Sequence, residues 1–274
     1  MITSNRNTFF NNRSYGFIIV YIILLILAAF YDLQLSQSIV NPDSGWAVVI
    51  EDYGELPGII TLLTAIFIYH KKKKHSSNAR TILYSVILTY SAFMLFNYAS
   101  FLLFKPFITS LYPVLAFAAF LTIISVVLVK ELKVDFSEKA FRFAKTVLLM
   151  GLFGYMFFVQ PLKIFWGRVR YRDLEALHSN FTPWFSPNGI TGSQSFPSGH
   201  SAMGFLLISF YILFRNNSLP SKYFLYIFIL LWAITVAAGR VVTGAHFLSD
   251  VVVGSAGMVF CYLYFSNKDR LRNV

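Results

Sequence analysis

Residues 16–33 read GFIIVYIILLILAAFYDL, an apolar run whose single charged residue, Asp32, stands next to its end. A helix that crosses a bilayer needs about 20 such residues. The rest of the chain is similar in character, since 57% of its 274 residues are hydrophobic and only 13% are charged. So few charged side chains cannot cover the surface of a soluble protein of this length. The sequence therefore predicts a membrane protein.

Seven further runs of mostly apolar residues follow the first one. We expect an all-α, polytopic membrane helical bundle of about eight transmembrane helices, in which residues 1–274 form a single integral membrane domain. Residues 1–135 would supply N-terminal transmembrane helices without a recognisable motif. The eight runs lie near residues 16–33, 54–70, 81–104, 109–129, 143–162, 200–214, 223–238 and 247–266.

The net charge of +11 could indicate nucleic-acid binding, with Lys71 to Lys74 as the basic patch. Anchoring at an anionic inner leaflet explains this run more simply, so we expect the lipid bilayer and no nucleic acid as a partner. The single Cys261 lies inside an apolar run, where packing is the expected role. The sequence leaves the oligomeric state open.

The basic residues also predict an orientation. With a cytoplasmic N-terminus, 17 of the 23 Lys and Arg residues fall on the inner side of the eight-helix arrangement. Because inner segments of membrane proteins are enriched in Lys and Arg, both termini are predicted in the cytoplasm. The protein is then expected in a bacterial-type cell membrane, with its polar helix ends on the extracytoplasmic face.

Most of the remaining basic residues cluster at outer helix ends. Charges within or near membrane helices are costly, by roughly 2.5 to 3.5 kcal/mol at mid-helix, and they usually mark a functional site. Three of them, Lys163, Arg170 and Arg240, could bind a phosphate, and Arg can do so with two parallel donors. Ser198 and Gly199 would add backbone N–H groups at a helix N-terminus, where anions bind well.

Two histidines complete this candidate site. His246 and Asp250 are four residues apart, so on a helix they share a face and can form a hydrogen bond. A carboxylate on one ring nitrogen makes the other nitrogen a better nucleophile, and His246 could then attack phosphorus. His200 could protonate the leaving group and later activate water.

The three motifs together resemble the type 2 phosphatidic acid phosphatase superfamily. They are Lys163 with Arg170, then Pro197-Ser198-Gly199-His200, then Arg240 with His246 and Asp250. The resemblance implies a PAP2-like catalytic core over residues 143–266, with neither cofactor nor metal. It also implies roles for the matched residues: His246 as nucleophile, Asp250 as its support, His200 as acid, and Lys163, Arg170, Arg240, Ser198 and Gly199 as phosphate ligands.

The chain departs from the family pattern at two positions. Tyr171 stands where the family usually has Pro, and Gly239 where it usually has Ser. Arg168 and Arg172 do not fall at the positions that the first motif specifies, so they are expected to be loop charges that face lipid headgroups. The stretch with Glu51, Gly54 and Pro57 either shapes a lid or substrate groove or only starts a helix.

The predicted function is hydrolysis of a lipid phosphate or lipid pyrophosphate at the outer leaflet through a phosphohistidine. The resemblance suggests undecaprenyl pyrophosphate, phosphatidate, phosphatidylglycerol phosphate or diacylglycerol pyrophosphate as substrates. Soluble phosphate esters are alternative substrates. One alternative is a lipid phosphotransferase that uses the same phosphohistidine. Another, from a different class, is an anion or lipid-phosphate transporter, which would place its charges nearer the midplane.

Overall fold

The computed structural model describes residues 12–72, 78–105, 110–131, 134–215 and 218–271. Throughout these ranges the chain forms helices and loops without any strand. The predicted all-α polytopic bundle is therefore confirmed. Several basic residues used to predict the orientation, including Arg6, Lys73, Lys74, Lys133 and Arg272, lie outside the described residues.

The helices follow one another with short connections, apart from a long loop before α8. A π-helical stretch, Met150–Val159, joins α6 to α7, and a 3-10 turn, Leu207–Phe210, joins α8 to α9. The α-helices are α1 (Asn12–Ile39), α2 (Gly45–Tyr53), α3 (Leu56–Lys72), α4 (Asn78–Phe104), α5 (Leu111–Glu131), α6 (Glu138–Leu149), α7 (Gln160–Trp166), α8 (Gly199–Leu206), α9 (Tyr211–Phe214), α10 (Leu219–Val242) and α11 (Leu248–Leu271).

Six helical segments of the described chain are long and apolar enough to cross a membrane. The predicted runs near residues 54–70 and 200–214 instead form shorter helices, α3 with 17 residues and the segment Gly199–Phe214. The count of eight spans therefore stays a prediction. The six segments are Tyr15–Ile39, Ser85–Phe104, Leu111–Leu128, Glu138–Asp173, Pro220–Val242 and Leu248–Ser266.

Helix α8 lies at the centre of the bundle. It packs against α3, α10, α11 and the π-helical stretch, and six of its eight residues are buried. Helix α1 packs on α11, and α2 packs on α10, so the N-terminal part of the chain covers the C-terminal helices from outside. This arrangement brings polar residues of α1 and α2 to the same end of the bundle as the start of α8.

Candidate active site

Backbone hydrogen bonds join the segments that carry the three motifs. The N–H of Ser198 donates to the carbonyl of Asp250 at 2.9 Å, which places the starts of α8 and α11 side by side. The N–H of Arg172 donates to the carbonyl of Gly244 at 3.0 Å, which ties the loop after α7 to the turn before α11. All three motif segments thus meet at one end of the bundle.

A glycine sets how closely α11 approaches this loop. A Cβ atom at Gly254 would lie only 2.2 Å from the carbonyl oxygen of Ser198. The backbone of α11 therefore rests directly on the backbone that precedes α8. Close backbone contact of this kind is possible only at a residue without a side chain.

His246 lies in the turn before α11 and is only 2% exposed. Its Nδ1 atom is 3.6 Å from Oδ2 of Asp250, somewhat longer than a hydrogen bond. Burial lowers the pKa of His246 to about 3, and the nearby charges of Lys163 and Arg240 act in the same direction, although Asp250 opposes them. The imidazole is therefore neutral at physiological pH.

Asp250 is fully buried and held from several sides. The Oγ of Ser195 donates to its Oδ2 at 2.5 Å, and the N–H of Phe247 donates to the same oxygen at 2.9 Å. Its other oxygen, Oδ1, accepts a hydrogen bond of 2.6 Å from Nη1 of Arg168. These donors fix the carboxylate beside the His246 ring.

The prediction that Arg168 is a loop charge facing lipid headgroups is wrong. Its side chain is 1% exposed and bridges two buried carboxylates, Asp250 and, at 3.0 Å from Nη2, Asp32 of α1. The guanidinium also lies 4.1 Å from the centroid of the Phe247 ring. A buried cation is costly unless it is paired, and here two buried carboxylates pair with the guanidinium. This pairing keeps Arg168 inside the protein rather than at the lipid headgroups.

His200, the first histidine of the motifs, contacts two oxygens. Its Nδ1 is 2.9 Å from Oε1 of Glu55, and its Nε2 is 2.9 Å from the backbone carbonyl oxygen of Glu51. Glu55 is 2% exposed and accepts a short hydrogen bond from the hydroxyl of Tyr98. Thus the ring lies between α2 and the turn that leads into α3.

Arg240 and Arg172 share a carboxylate from α2. Nη1 of Arg240 is 3.1 Å from Oε1 of Glu51, and Nη1 of Arg172 is 3.0 Å from the same oxygen. Burial alone would raise the pKa of Glu51, but the charges of Arg240 and Arg172 lower it to about 2. Among the described residues, the buried Nε of Arg240 has no hydrogen-bond partner, so this donor is open to an anion.

The other predicted phosphate ligands lie around the same space. Nζ of Lys163 donates to the carbonyl of Gln194 at 2.9 Å and interacts electrostatically with Arg170. A Cβ atom at Gly199 would lie 3.5 Å from Cε of Lys163, so the two residues are neighbours. The hydroxyl of Ser198 accepts from the N–H and hydroxyl of Ser201 and so caps α8.

Both departures from the family pattern have a packing explanation. A Cβ atom at Gly239 would lie 2.8 Å from Cγ2 of Ile50, so this glycine lets α2 approach α10. Tyr171 stacks on His178 with ring centroids 5.4 Å apart and packs edge-on against Phe247 at 6.2 Å. The aromatic contacts thus hold the loop where proline would have constrained it.

From the sequence, Asp32 and Glu55 were missed and Arg168 was misread, while Glu51 was named only within a stretch that either shapes a groove or starts a helix. Asp32, Glu51 and Glu55 all precede the motifs by more than 100 residues, and Arg168 falls off their spacing. Asp32 gave a usable signal, because a carboxylate inside an apolar span is costly and commonly functional. The stretch with Glu51, Gly54 and Pro57 both starts α3 and supplies side chains to the site.

Comparison with known families supports the motif-based resemblance. Residues 144–272 match the model of the PAP2 superfamily domain. Such a domain indicates a phosphatase that acts on phosphate esters, here carried by apolar, membrane-type helices. No curated protein and no solved structure matches the chain significantly. Within the described ranges, no group of three or more His, Cys, Asp or Glu side chains could hold a metal ion.

Proposed function

We propose that the protein is an integral membrane phosphatase that hydrolyses a lipid phosphate or lipid pyrophosphate through a phosphohistidine intermediate. The observation that carries this proposal is the juxtaposition of a buried, neutral His246 beside Asp250 with the open donor of Arg240. The backbone N–H of His246 donates to the carbonyl of Arg240 at 3.1 Å, and the charges of Lys163 and Arg240 both lower the pKa of His246, which supports a phosphate bound by these cations close to the ring.

His246 is the proposed nucleophile. Its Nδ1 faces the carboxylate of Asp250, so the proton belongs on Nδ1 and the lone pair on Nε2. Nε2 attacks phosphorus and forms the P–N bond while the bond from phosphorus to the leaving oxygen breaks. Asp250 stabilises the positive charge that develops on the ring. The distance of 3.6 Å can shorten when substrate binds, as catalytic hydrogen bonds often do.

His200 is the proposed acid and base. In the first step its ring gives a proton to the leaving oxygen, which departs as an alcohol or, from a pyrophosphate, as a lipid monophosphate. In the second step the same ring takes a proton from water as the water oxygen attacks phosphorus. The P–N bond then breaks, inorganic phosphate leaves, and His246 is neutral again.

Phosphate oxygens are expected to bind Lys163, Arg170, Arg240 and the backbone N–H groups at Ser198 and Gly199. Positive charge that is already in place stabilises the additional negative charge of the transition state. Such a ligand set needs no metal ion or other cofactor. It accepts the phosphate end of any ester, so the substrate's tail must confer further selectivity.

A membrane-embedded lipid is the proposed substrate because apolar helices surround a polar site at one end of the bundle. The tail can stay in the bilayer while the phosphate reaches Arg240. We place this end at the outer leaflet and both termini in the cytoplasm, since this orientation satisfies the positive-inside rule. Undecaprenyl pyrophosphate, phosphatidate, phosphatidylglycerol phosphate and diacylglycerol pyrophosphate are the candidates to test first.

The test is phosphate release from these four lipids by the detergent-purified protein, with a chelator present. We expect the wild-type protein to release phosphate from at least one lipid. The His246→Ala variant should release none, and its unfolding temperature should equal that of wild type, which shows that it is folded. Undiminished turnover by His246→Ala would refute the assigned nucleophile. Transfer of phosphate to an alcohol without release would instead identify a phosphotransferase, and binding without either reaction would support transport.

A further inference from the structure

Glu55 and Tyr98 lie outside the segment that matches the PAP2 superfamily, yet they form a contiguous chain with His200. Glu55 stands in the turn between α2 and α3, and Tyr98 lies on α4. Oε1 of Glu55 contacts Nδ1 of His200 at 2.9 Å, and Oε2 accepts from the Tyr98 hydroxyl. Both carboxylate oxygens are therefore engaged.

The partners of His200 define its protonation in this state. The backbone carbonyl of Glu51 can only accept a hydrogen bond, so the Nε2 atom 2.9 Å away from it must carry a proton. The second nitrogen, Nδ1, faces the carboxylate of Glu55. A proton on Nδ1, shared with the Glu55 carboxylate, makes the ring an imidazolium. Each ring nitrogen then donates a hydrogen bond to an oxygen.

Burial strengthens this assignment. Glu55 is 2% exposed, and an isolated carboxylate in such a place is strongly disfavoured unless a cation and hydrogen bonds compensate it. The imidazolium of His200 provides the cation, and Tyr98 provides a second donor. Charge-assisted hydrogen bonds of this kind are roughly twice as strong as neutral ones. The ionised pair is thus the arrangement that satisfies both buried groups.

We propose that Glu55 is the positioning residue for His200: it holds Nδ1, keeps the ring protonated and aims Nε2 toward the leaving group, while Tyr98 fixes the Glu55 carboxylate. This inference rests on the proposed phosphatase function and deepens it. It assigns a role in the acid step to the N-terminal helices, which carry none of the three motifs.

The proton balance is simple. As the bond from phosphorus to the leaving oxygen breaks, the Nε2 proton passes to that oxygen, which takes the place of the Glu51 carbonyl as acceptor. The ring becomes neutral and keeps its Nδ1 proton against Glu55. In the second step Nε2 takes a proton from the attacking water, and the imidazolium is restored. Glu55 remains a carboxylate throughout.

The test compares two substrates that need acid catalysis to different extents. A short-chain phosphatidate has a poor alkoxide leaving group, whereas p-nitrophenyl phosphate has a good one. General acid catalysis contributes roughly 10²- to 10⁴-fold where the leaving group is poor. For Glu55→Gln we expect kcat on phosphatidate to fall by about 30-fold or more, and on p-nitrophenyl phosphate by less than about 5-fold. Glu55→Asp, which restores the charge, should recover part of the phosphatidate activity.

The neighbouring Glu51→Gln serves as the matched control. Its side chain contacts arginines rather than the His200 ring, so its effect should be alike on both substrates. Equal losses on both substrates in Glu55→Gln, or unchanged phosphatidate turnover, would overturn the positioning role. If Glu55→Gln does not fold, the same comparison is made with Tyr98→Phe. A loss of kcat confined to phosphatidate supports the positioning role of Glu55, and equal losses on both substrates or no loss refute it. Wild-type protein that releases phosphate from neither of these substrates nor from the other three candidate lipids would refute the proposed function itself.

Discussion

Arg168 and Asp250 form a buried ion pair, with Nη1 and Oδ1 only 2.6 Å apart. Through the same guanidinium, Asp250 is linked to Asp32 on the first helix of the chain. The carboxylate beside His246 is therefore held directly by Arg168 from the loop after α7. Helix α1 contributes indirectly, because its Asp32 binds the same guanidinium. This relationship connects the stability of the bundle with the geometry of the site.

Replacing Arg168 by Gln should destabilise the protein strongly. The change leaves Asp32 and Asp250 buried without their cation, and breaking a buried ion pair in this way typically costs about 3 to 5 kcal/mol. We expect a lower thermal unfolding midpoint in detergent and a turnover reduced at least tenfold. Asp32→Asn is the control, since it keeps the Arg168–Asp250 contact and should cost less activity. Equal turnover of Arg168→Gln and wild type would show that this contact does not support the nucleophile.

Removing the Glu51 carboxylate should strengthen binding of phosphate-like inhibitors. Glu51 occupies Arg240 and Arg172, so a bound anion must compete with it. For Glu51→Gln we expect the inhibition constant of inorganic phosphate or vanadate to fall several-fold. Asp52→Asn is a matched control, because Asp52 pairs with Lys105 at 2.5 Å instead. Weaker inhibition of Glu51→Gln than of wild type would contradict competition at Arg240.

The neutral state of His246 has a consequence for stability against acid. The pKa of His246 is about 3 in the fold, against 6.5 for an ordinary histidine, so the unfolded chain takes up a proton first as the pH falls. The corresponding stability is present above pH 6.5 and is lost progressively as the pH falls toward 3. Between pH 6.5 and pH 4.5, the free energy of unfolding should fall by about 2 to 3 kcal/mol for this reason.

His246→Gln removes this titration. Thermal unfolding of the variant and of wild type should be compared at pH 7.5 and at pH 4.5. The stability of wild type relative to the variant should shrink at the lower pH by about the amount given above. A difference that stays constant between the two pH values would mean that His246 does not remain neutral in the fold.

Introducing the residue typical of the family at position 239 should impair this protein. A side chain there would lie 2.8 Å from Cγ2 and 3.1 Å from Cβ of Ile50, which belongs to the helix that carries Glu51. We expect Gly239→Ser to lower the unfolding midpoint and to reduce turnover. The double variant Gly239→Ser with Ile50→Ala should regain part of both, because it removes Cγ2, the nearer of the two close atoms. Full activity of the single variant would show that the α2–α10 distance is not critical.

The sequence predicted much of the C-terminal part of the site and little of what surrounds it. Lys163, His200, Arg240 and His246 stand at the ends of apolar runs, so their placement at one end of a helical bundle follows from chain direction alone. The backbone contact between Ser198 and Asp250 agrees with that reasoning. Their roles in catalysis stay predictions.

The contributions of Asp32, Glu51 and Glu55 could not be predicted from sequence in the same way. Each depends on which neighbour α1 or α2 packs against, and such contacts are set by shape over a long sequence separation. Gly239 illustrates the difficulty, since its importance emerges only once Ile50 is found opposite it. Arg168 was misread because an arginine in an outer loop usually faces water or headgroups, whereas here two carboxylates are buried with it.

Helix α2 has an effect that goes beyond its nine residues. It presents an anionic oxygen to Arg240 and a neutral acceptor oxygen to His200, and a phosphate ester would offer the same two types of acceptor through its charged and its bridging oxygens. An ester bound at Arg240, as proposed, would therefore compete with Glu51 at the start and at the end of each turnover. Until an ester arrives, the Glu51 carboxylate thus serves as the counterion of Arg240 and Arg172.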